Sequence, residues 1–144
     1  MKTKMRKWFD VLLGAILGMF GLGCFSCGMY GVPRYNLTVE GEVTDENEKP
    51  LPRIQVVRRS GWGDDANNRH WSEFADTLYT DANGNFYEYL GDNESPGKIH
   101  KVIVNDTSGV YQSDSTIATV EYSGGHGWYK GKADLKLNFV LKKK

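Results

Sequence analysis

The stretch VEGEVTDENEKPLPRIQVV, residues 39–57, decides how the rest of the chain is read. Leu37, Val39, Gly41 and Val43 alternate with Thr38, Glu40, Glu42 and Thr44, giving one apolar and one polar face, the period of a half-buried strand. Turn-forming residues follow from Asp45 to Pro50, after which Ile54 and Val56 resume the apolar alternation around Arg53 and Gln55. The two runs read as a hairpin that opens an all-β domain. Within its turn Glu48 stands where related domains place glycine, and Asn47 is expected to take the left-handed conformation in its stead.

Downstream, the same alternation recurs between turn signals. Residues 74–79 lead into Thr80-Asp81-Ala82-Asn83-Gly84-Asn85-Phe86, where Gly84 is expected at positive φ and Phe86 in the core. Glu88 then occupies a position where an aliphatic residue is expected, so either the register slips or this edge is wet. IHKVIV, residues 99–104, suits a strand covered on both faces. Ala118, Val120 and Tyr122 share one face of a further strand, and Leu135, Leu137, Phe139 and Leu141 share one face of the last. With no helical periodicity after the first two dozen residues, the pattern is that of a Greek-key β-sandwich of about seven strands over residues 37–144.

Two segments lack any period. Residues 60–72, SGWGDDANNRHWS, and residues 123–131, SGGHGWYKG, are expected as loops that carry the binding function, with Trp62, Trp71, His126, Trp128 and Tyr129 as candidate contacts. A plainer reading of the first has one tryptophan capping the edge of the sandwich.

Charge is segregated although it sums to zero. Of 18 basic and 18 acidic side chains, Lys2, Lys4, Arg6 and Lys7 stand against Asp10 alone in the first ten residues. The remainder holds 14 basic and 17 acidic groups, a body of about −3 that argues against a nucleic-acid partner. Basic residues, then a mostly apolar run from Trp8 to Phe20, then Gly21-Leu22-Gly23-Cys24 make the three-part plan of a secretory signal, residues 1–23. The apolar run falls short of the ~20 residues that span a bilayer. Residues 24–36 read as a glycine- and proline-containing tether.

Leu22-Gly23-Cys24 resembles the end of a bacterial lipobox, which implies a lipid (palmitate) anchor at Cys24, with Cys27 as the alternative. Met29-Tyr30-Gly31-Val32-Pro33, the strand ending at Asp45-Glu46, Lys49-Pro50-Leu51 and Trp128-Tyr129 resemble the radical S-adenosylmethionine-associated lipoproteins of Bacteroidetes. Thr80-Asp81 with Gly84 and Phe86 resembles the hairpin of carboxypeptidase-regulatory-like and transthyretin-like sandwiches. These resemblances imply a cell-envelope location, periplasmic-facing rather than surface-exposed, with the membrane as partner through the lipid and an envelope protein as a possible second partner.

No catalytic pattern emerges from the residues. His70, His100 and His126 lack i, i+2 or i, i+4 partners, and Asp81, Asn83 and Asn85 lack the twelfth-position glutamate of a calcium loop, Asp92 standing there. No catalytic residue, metal or cofactor is therefore expected. The leading expectation is a non-catalytic binding or scaffolding lipoprotein, not an enzyme. Its alternatives are a substrate or partner of a radical-enzyme modification system, which the resemblance implies, and a metal-dependent envelope hydrolase.

Overall fold

A computed structural model describes residues 2–24, 31–63, 66–93 and 96–144, and the chain divides into two units, Met1–Val32 and Pro33–Lys144. The first unit holds one helix, α1 (Lys2–Cys24), which leaves Met5, Trp8, Phe9 and Val11 exposed. Among the described residues, no helix is long and apolar enough to cross a membrane. Cys24 is the last residue of α1, and Cys27 lies outside the described residues.

The second unit is a β-sandwich with nine strands among its described residues. They are β1 (Arg34–Asp45), β2 (Gln55–Trp62), β3 (His70–Trp71), β4 (Asp76–Tyr79), β5 (Asn85–Asn93), β6 (Ile99–Asn105), β7 (Asp114–Thr119), β8 (Ser123–His126) and β9 (Tyr129–Leu141). One sheet runs β5-β1-β9-β8, with β1 antiparallel to β5 and parallel to β9. In the other, β2 pairs with β6, which pairs with β7, while the far edge of β2 takes β3 and β4 in succession. The first strand begins at Arg34, so residues 34–36 belong to the sheet and not to a tether.

Residues 39–57 do not form the expected hairpin. β1 and β2 lie in different sheets, and the segment between them is a crossing. The chain turns tightly as the Glu48 amide donates to the Asp45 carbonyl at 3.1 Å, and the Leu51 amide then donates to Val43 O at 2.9 Å. Thr80 secures the crossing: its buried hydroxyl donates to Leu51 O at 2.6 Å and accepts from the Ile54 amide at 2.9 Å. An alternating pattern specifies which face of a strand is apolar but not which sheet the strand joins, and here the tertiary bonds decide. The left-handed residue in the turn is Glu48 itself, at φ 61°, and not Asn47. Gly84 does take positive φ, at 74°, and Phe86 is buried.

The core lies between the sheets. Leu37, Val39 and Val43 of β1, with Leu135, Phe139 and Leu141 of β9, meet Val56, Val102 and Val104 of the opposite sheet. Each such side chain contributes ~1.5–3 kcal/mol of hydrophobic stabilisation. Gly41 sits on the inward face of β1, where a Cβ would come within 2.5 Å of the Phe86 ring. Its missing side chain gives Phe86 its place.

Candidate functional site

Both segments expected as loops are largely hairpins. Gly61 pairs with Trp71 and Trp62 with His70 across β2 and β3, while β8 and β9 form a second hairpin with Trp128 at its tip. Trp71 is half-buried against the backbone of Gly61, where any side chain would strike its ring. Trp62 is 41% exposed and Trp128 53%, and the His126 and Tyr129 rings meet edge to face at 6.3 Å.

A chain of contacts brings the two hairpins to the same end of the sandwich. The Lys98 amide donates to Gly61 O at 3.3 Å, and the Tyr122 hydroxyl donates to Gly97 O at 3.0 Å. Tyr122 packs edge to face on Tyr35 at 4.8 Å, and the amide of Arg34 donates to Trp128 O at 2.8 Å. This end of the sandwich is aromatic. Beneath it lies a polar cluster that the sequence reading did not assemble.

Arg58 of β2 is 3% exposed, between the sheets. Its Nε donates to Glu88 Oε2 at 2.7 Å and its Nη2 to Glu88 Oε1 at 3.1 Å, a bidentate pair that joins β2 to β5 of the opposite sheet. Nη2 also donates to Asp76 of β4, Nη1 to Ser60 Oγ at 2.8 Å, and Nη1 faces His100 Nδ1 at 3.4 Å. A guanidinium has five N–H donors, so every one is engaged. Glu88 therefore faces inward by design of the register, opposite Val39, and the expectation of a slipped register or wet edge gives way to a buried ion pair.

This arrangement fixes the state of His100, which has no exposed surface. Arginine offers only donors, so the contact with Nδ1 requires that nitrogen to accept, and the proton of the neutral ring resides on Nε2. Burial first, and then the Arg58 charge, push the His100 pKa down to about 4, with the Gly97 carbonyl opposing weakly. Nε2 makes no hydrogen bond of good geometry, although the Gly97 carbonyl is close enough to act on the ring. The Gly97 oxygen also accepts from the Tyr122 hydroxyl at 3.0 Å.

Burial, helped by Tyr35 and opposed by Arg58, pushes the Tyr122 hydroxyl up to about 12. The aromatic end therefore keeps two protonated groups at neutral pH: an imidazole N–H without a well-formed hydrogen bond and a tyrosine hydroxyl that donates to Gly97 O. Such groups stabilise negative charge on an oxygen and do not take protons. Among the described residues no three His, Cys, Asp or Glu side chains group closely enough to hold a metal ion. Asp81, weighed as a calcium ligand, accepts the Asn83 and Asn85 amides at 2.9 Å each and so caps its own turn.

The chain matches no family model and no curated protein. Among solved structures it is similar to 3-chlorocatechol 1,2-dioxygenase from Rhodococcus opacus 1CP, at 15% identity and a TM-score of 0.53 over 80% of this chain and 62% of that one. Catechol 1,2-dioxygenase from Pseudomonas arvilla C-1 aligns at 14% identity and a TM-score of 0.51 over 80% of this chain and 54% of that one. The mercury-inhibited enzyme from Acinetobacter sp. ADP1 aligns at 14% and 0.51, over 81% and 55%. The chain thus spans between half and two thirds of the length of these proteins, and the likeness at this identity is one of fold. It nevertheless corrects the expectation of a non-catalytic binding or scaffolding module that is not an enzyme. That expectation rested on the absence of a catalytic pattern in the residues, and solved enzymes are built on the same fold, so the missing pattern gives no ground for excluding catalysis.

Proposed function

We propose that the aromatic end is a site for a small hydroxylated aromatic molecule, acted on by an enzyme that is tethered to the cell envelope by a lipid on Cys24. The observation that carries the site is the buried Nε2–H of His100, which makes no well-formed hydrogen bond while its ring is oriented by Arg58. An unsatisfied buried donor costs ~1–3 kcal/mol, and a ligand oxygen would recover it. A phenolate or enolate oxygen is the acceptor these donors favour, since His100 and Tyr122 both keep their protons at neutral pH. The catechol-type substrates named for the similar structures have that chemistry. Because His100 is fully buried, binding there requires this end of the sandwich to open.

4-Nitrocatechol tests the site, since its absorbance changes when its oxygens enter a donor-rich environment. The full chain is expected to shift the spectrum, the His100→Ala variant to lose the shift, and loss of the compound over time in the wild type alone marks conversion beyond binding. An unshifted spectrum, or an equal shift with His100→Ala, overturns the proposal. For the anchor, Cys24→Ser is expected to release the protein from the membrane fraction. Retention after both Cys24→Ser and Cys27→Ser would remove that part.

A further inference from the structure

The outer face of the four-stranded sheet holds three rungs in register, each crossing β5, β1 and β9. Asn85 pairs with Glu42 and Glu42 with Asn138; Tyr87 with Glu40 and Glu40 with Lys136; Tyr89 with Thr38 and Thr38 with Asp134. Tyr87 is 62% exposed and Tyr89 57%. The two tyrosines stand on the same face of an edge strand, about 6.6 Å apart along it from a rise of ~3.3 Å per residue. The Tyr89 ring reaches over Gly91, where an added Cβ would lie 2.8 Å from a ring carbon, so the glycine lets the ring lie along the strand. Beside the tyrosines, a shallow concavity of about 430 Å³ is lined by Glu40, Glu42, Asn85, Tyr87, Lys136 and Asn138.

We infer that this face binds a neutral saccharide chain, with Tyr87 and Tyr89 as stacking platforms. An exposed aromatic ring carries negative charge on its π-face and attracts the polarised C–H groups on the flat side of a pyranose. The neighbours are the groups a polyhydroxylated ligand requires: carboxylates that accept from hydroxyls, amides that do both, and an ammonium that donates. Glu40 and Lys136 are already paired at 3.1 Å, which holds two of these heads in place above the sheet.

The composition of the face decides against other occupants. The core of a protein-binding patch is depleted of charge, whereas here Glu40 and Lys136 occupy the central rung. Glu40, Glu42 and Asp134 disfavour a phosphate backbone or an anionic lipid surface. Shielding of the Gly91 backbone accounts for Tyr89 but not for Tyr87, which has no glycine beneath it and faces solvent. The inference stands on this sheet face alone and is independent of the aromatic end.

Calorimetric titration of the full chain with cellohexaose, xylohexaose and maltohexaose tests it, alongside amide shifts followed by NMR. At least one of the three is expected to bind, with shifts confined to the outer rungs of β5, β1 and β9. Tyr87→Ala and Tyr89→Ala are each expected to weaken that binding about tenfold or more, and the double variant to abolish it, while Tyr87→Phe retains it. Glu40→Gln is expected to weaken it severalfold. The inference is overturned if the wild type binds none of the three, or if binding survives the double variant. It is equally overturned if the tyrosine variants lower the melting temperature but leave affinity unchanged.

Discussion

At one end of the sandwich three aspartates fold their carboxylates back onto their own turns, while at the other Arg58, Glu88 and His100 reach towards one another between the sheets. Asp45 accepts the amides of Asn47 and Lys49 at 2.8 and 3.0 Å, and Asp81 those of Asn83 and Asn85. Asp106 accepts from the amides of Ser108, Val110 and Tyr111, and from the Ser108 hydroxyl at 2.6 Å. Every one of these contacts lies within five residues of its aspartate, and each satisfies backbone donors that a turn would otherwise leave open. The opposite end is built from residues tens of positions apart, and it leaves His100 Nε2 buried without a well-formed hydrogen bond. The difference separates a closed structural end from an end with unused chemistry.

Breaking the cross-sheet pair should have the largest effect. Arg58→Met leaves Glu88 buried without its partner and Nδ1 of His100 without its donor, and is expected to cost ~3–5 kcal/mol in urea unfolding. Arg58→Met with Glu88→Met should recover most of that loss, because the charge that needed a partner is gone. A double variant as unstable as the single would mean that the pair is not what joins β2 to β5.

Acid should weaken the aromatic end next. The folded His100 stays neutral down to about 4 while the unfolded side chain protonates near its ordinary 6.5. The unfolded state therefore binds more protons between those values, so its share of stability is complete above 6.5 and is lost progressively towards 4. The loss amounts to roughly 3 kcal/mol, and His100→Gln should flatten that part of the pH profile. At the aspartate end, Asp106→Ala is expected to cost ~1–2 kcal/mol through lost turn capping. Burial alone would raise the Asp106 pKa, but its hydrogen bonds from Ser108, Tyr111 and Val110 outweigh burial and hold it below the usual value. That contribution is present above the ordinary aspartate range and disappears as pH falls through the lowered value, so it titrates below the His100 window. Last, Glu48→Gly should stabilise by up to about 1 kcal/mol, because a non-glycine residue at φ 61° bears a left-handed penalty. Unchanged melting would place that penalty elsewhere.

The closed end was far more legible in the sequence than the open one, for a physical reason. Turn capping is local, so Asp81, Gly84 and Phe86 can be read from a seven-residue run, and β9 can be read from Leu135, Leu137, Phe139 and Leu141. Pairing is not local, which is why residues 39–57 look like a hairpin although Thr80, far along the chain, turns them into a crossing. The buried cluster left one trace. Glu88 stands out as a charge at an inward position, and Arg58 after Val56 and His100 before Val102 are the same anomaly on two other strands. Three polar residues at inward positions of three strands point to a common site, because a buried charge requires a partner. The hairpins of Trp62 and Trp128 read as loops because β3 has only two residues and the glycine-rich SGGH of β8 carries no alternation.

Which nitrogen of His100 holds its proton decides what the buried cluster can do, and ¹⁵N NMR of the imidazole ring measures it directly. The expected result is a neutral ring protonated at Nε2, with Nδ1 accepting from Arg58 and a titration midpoint near 4. A ring protonated at Nδ1, or one that titrates near its ordinary 6.5, would contradict it.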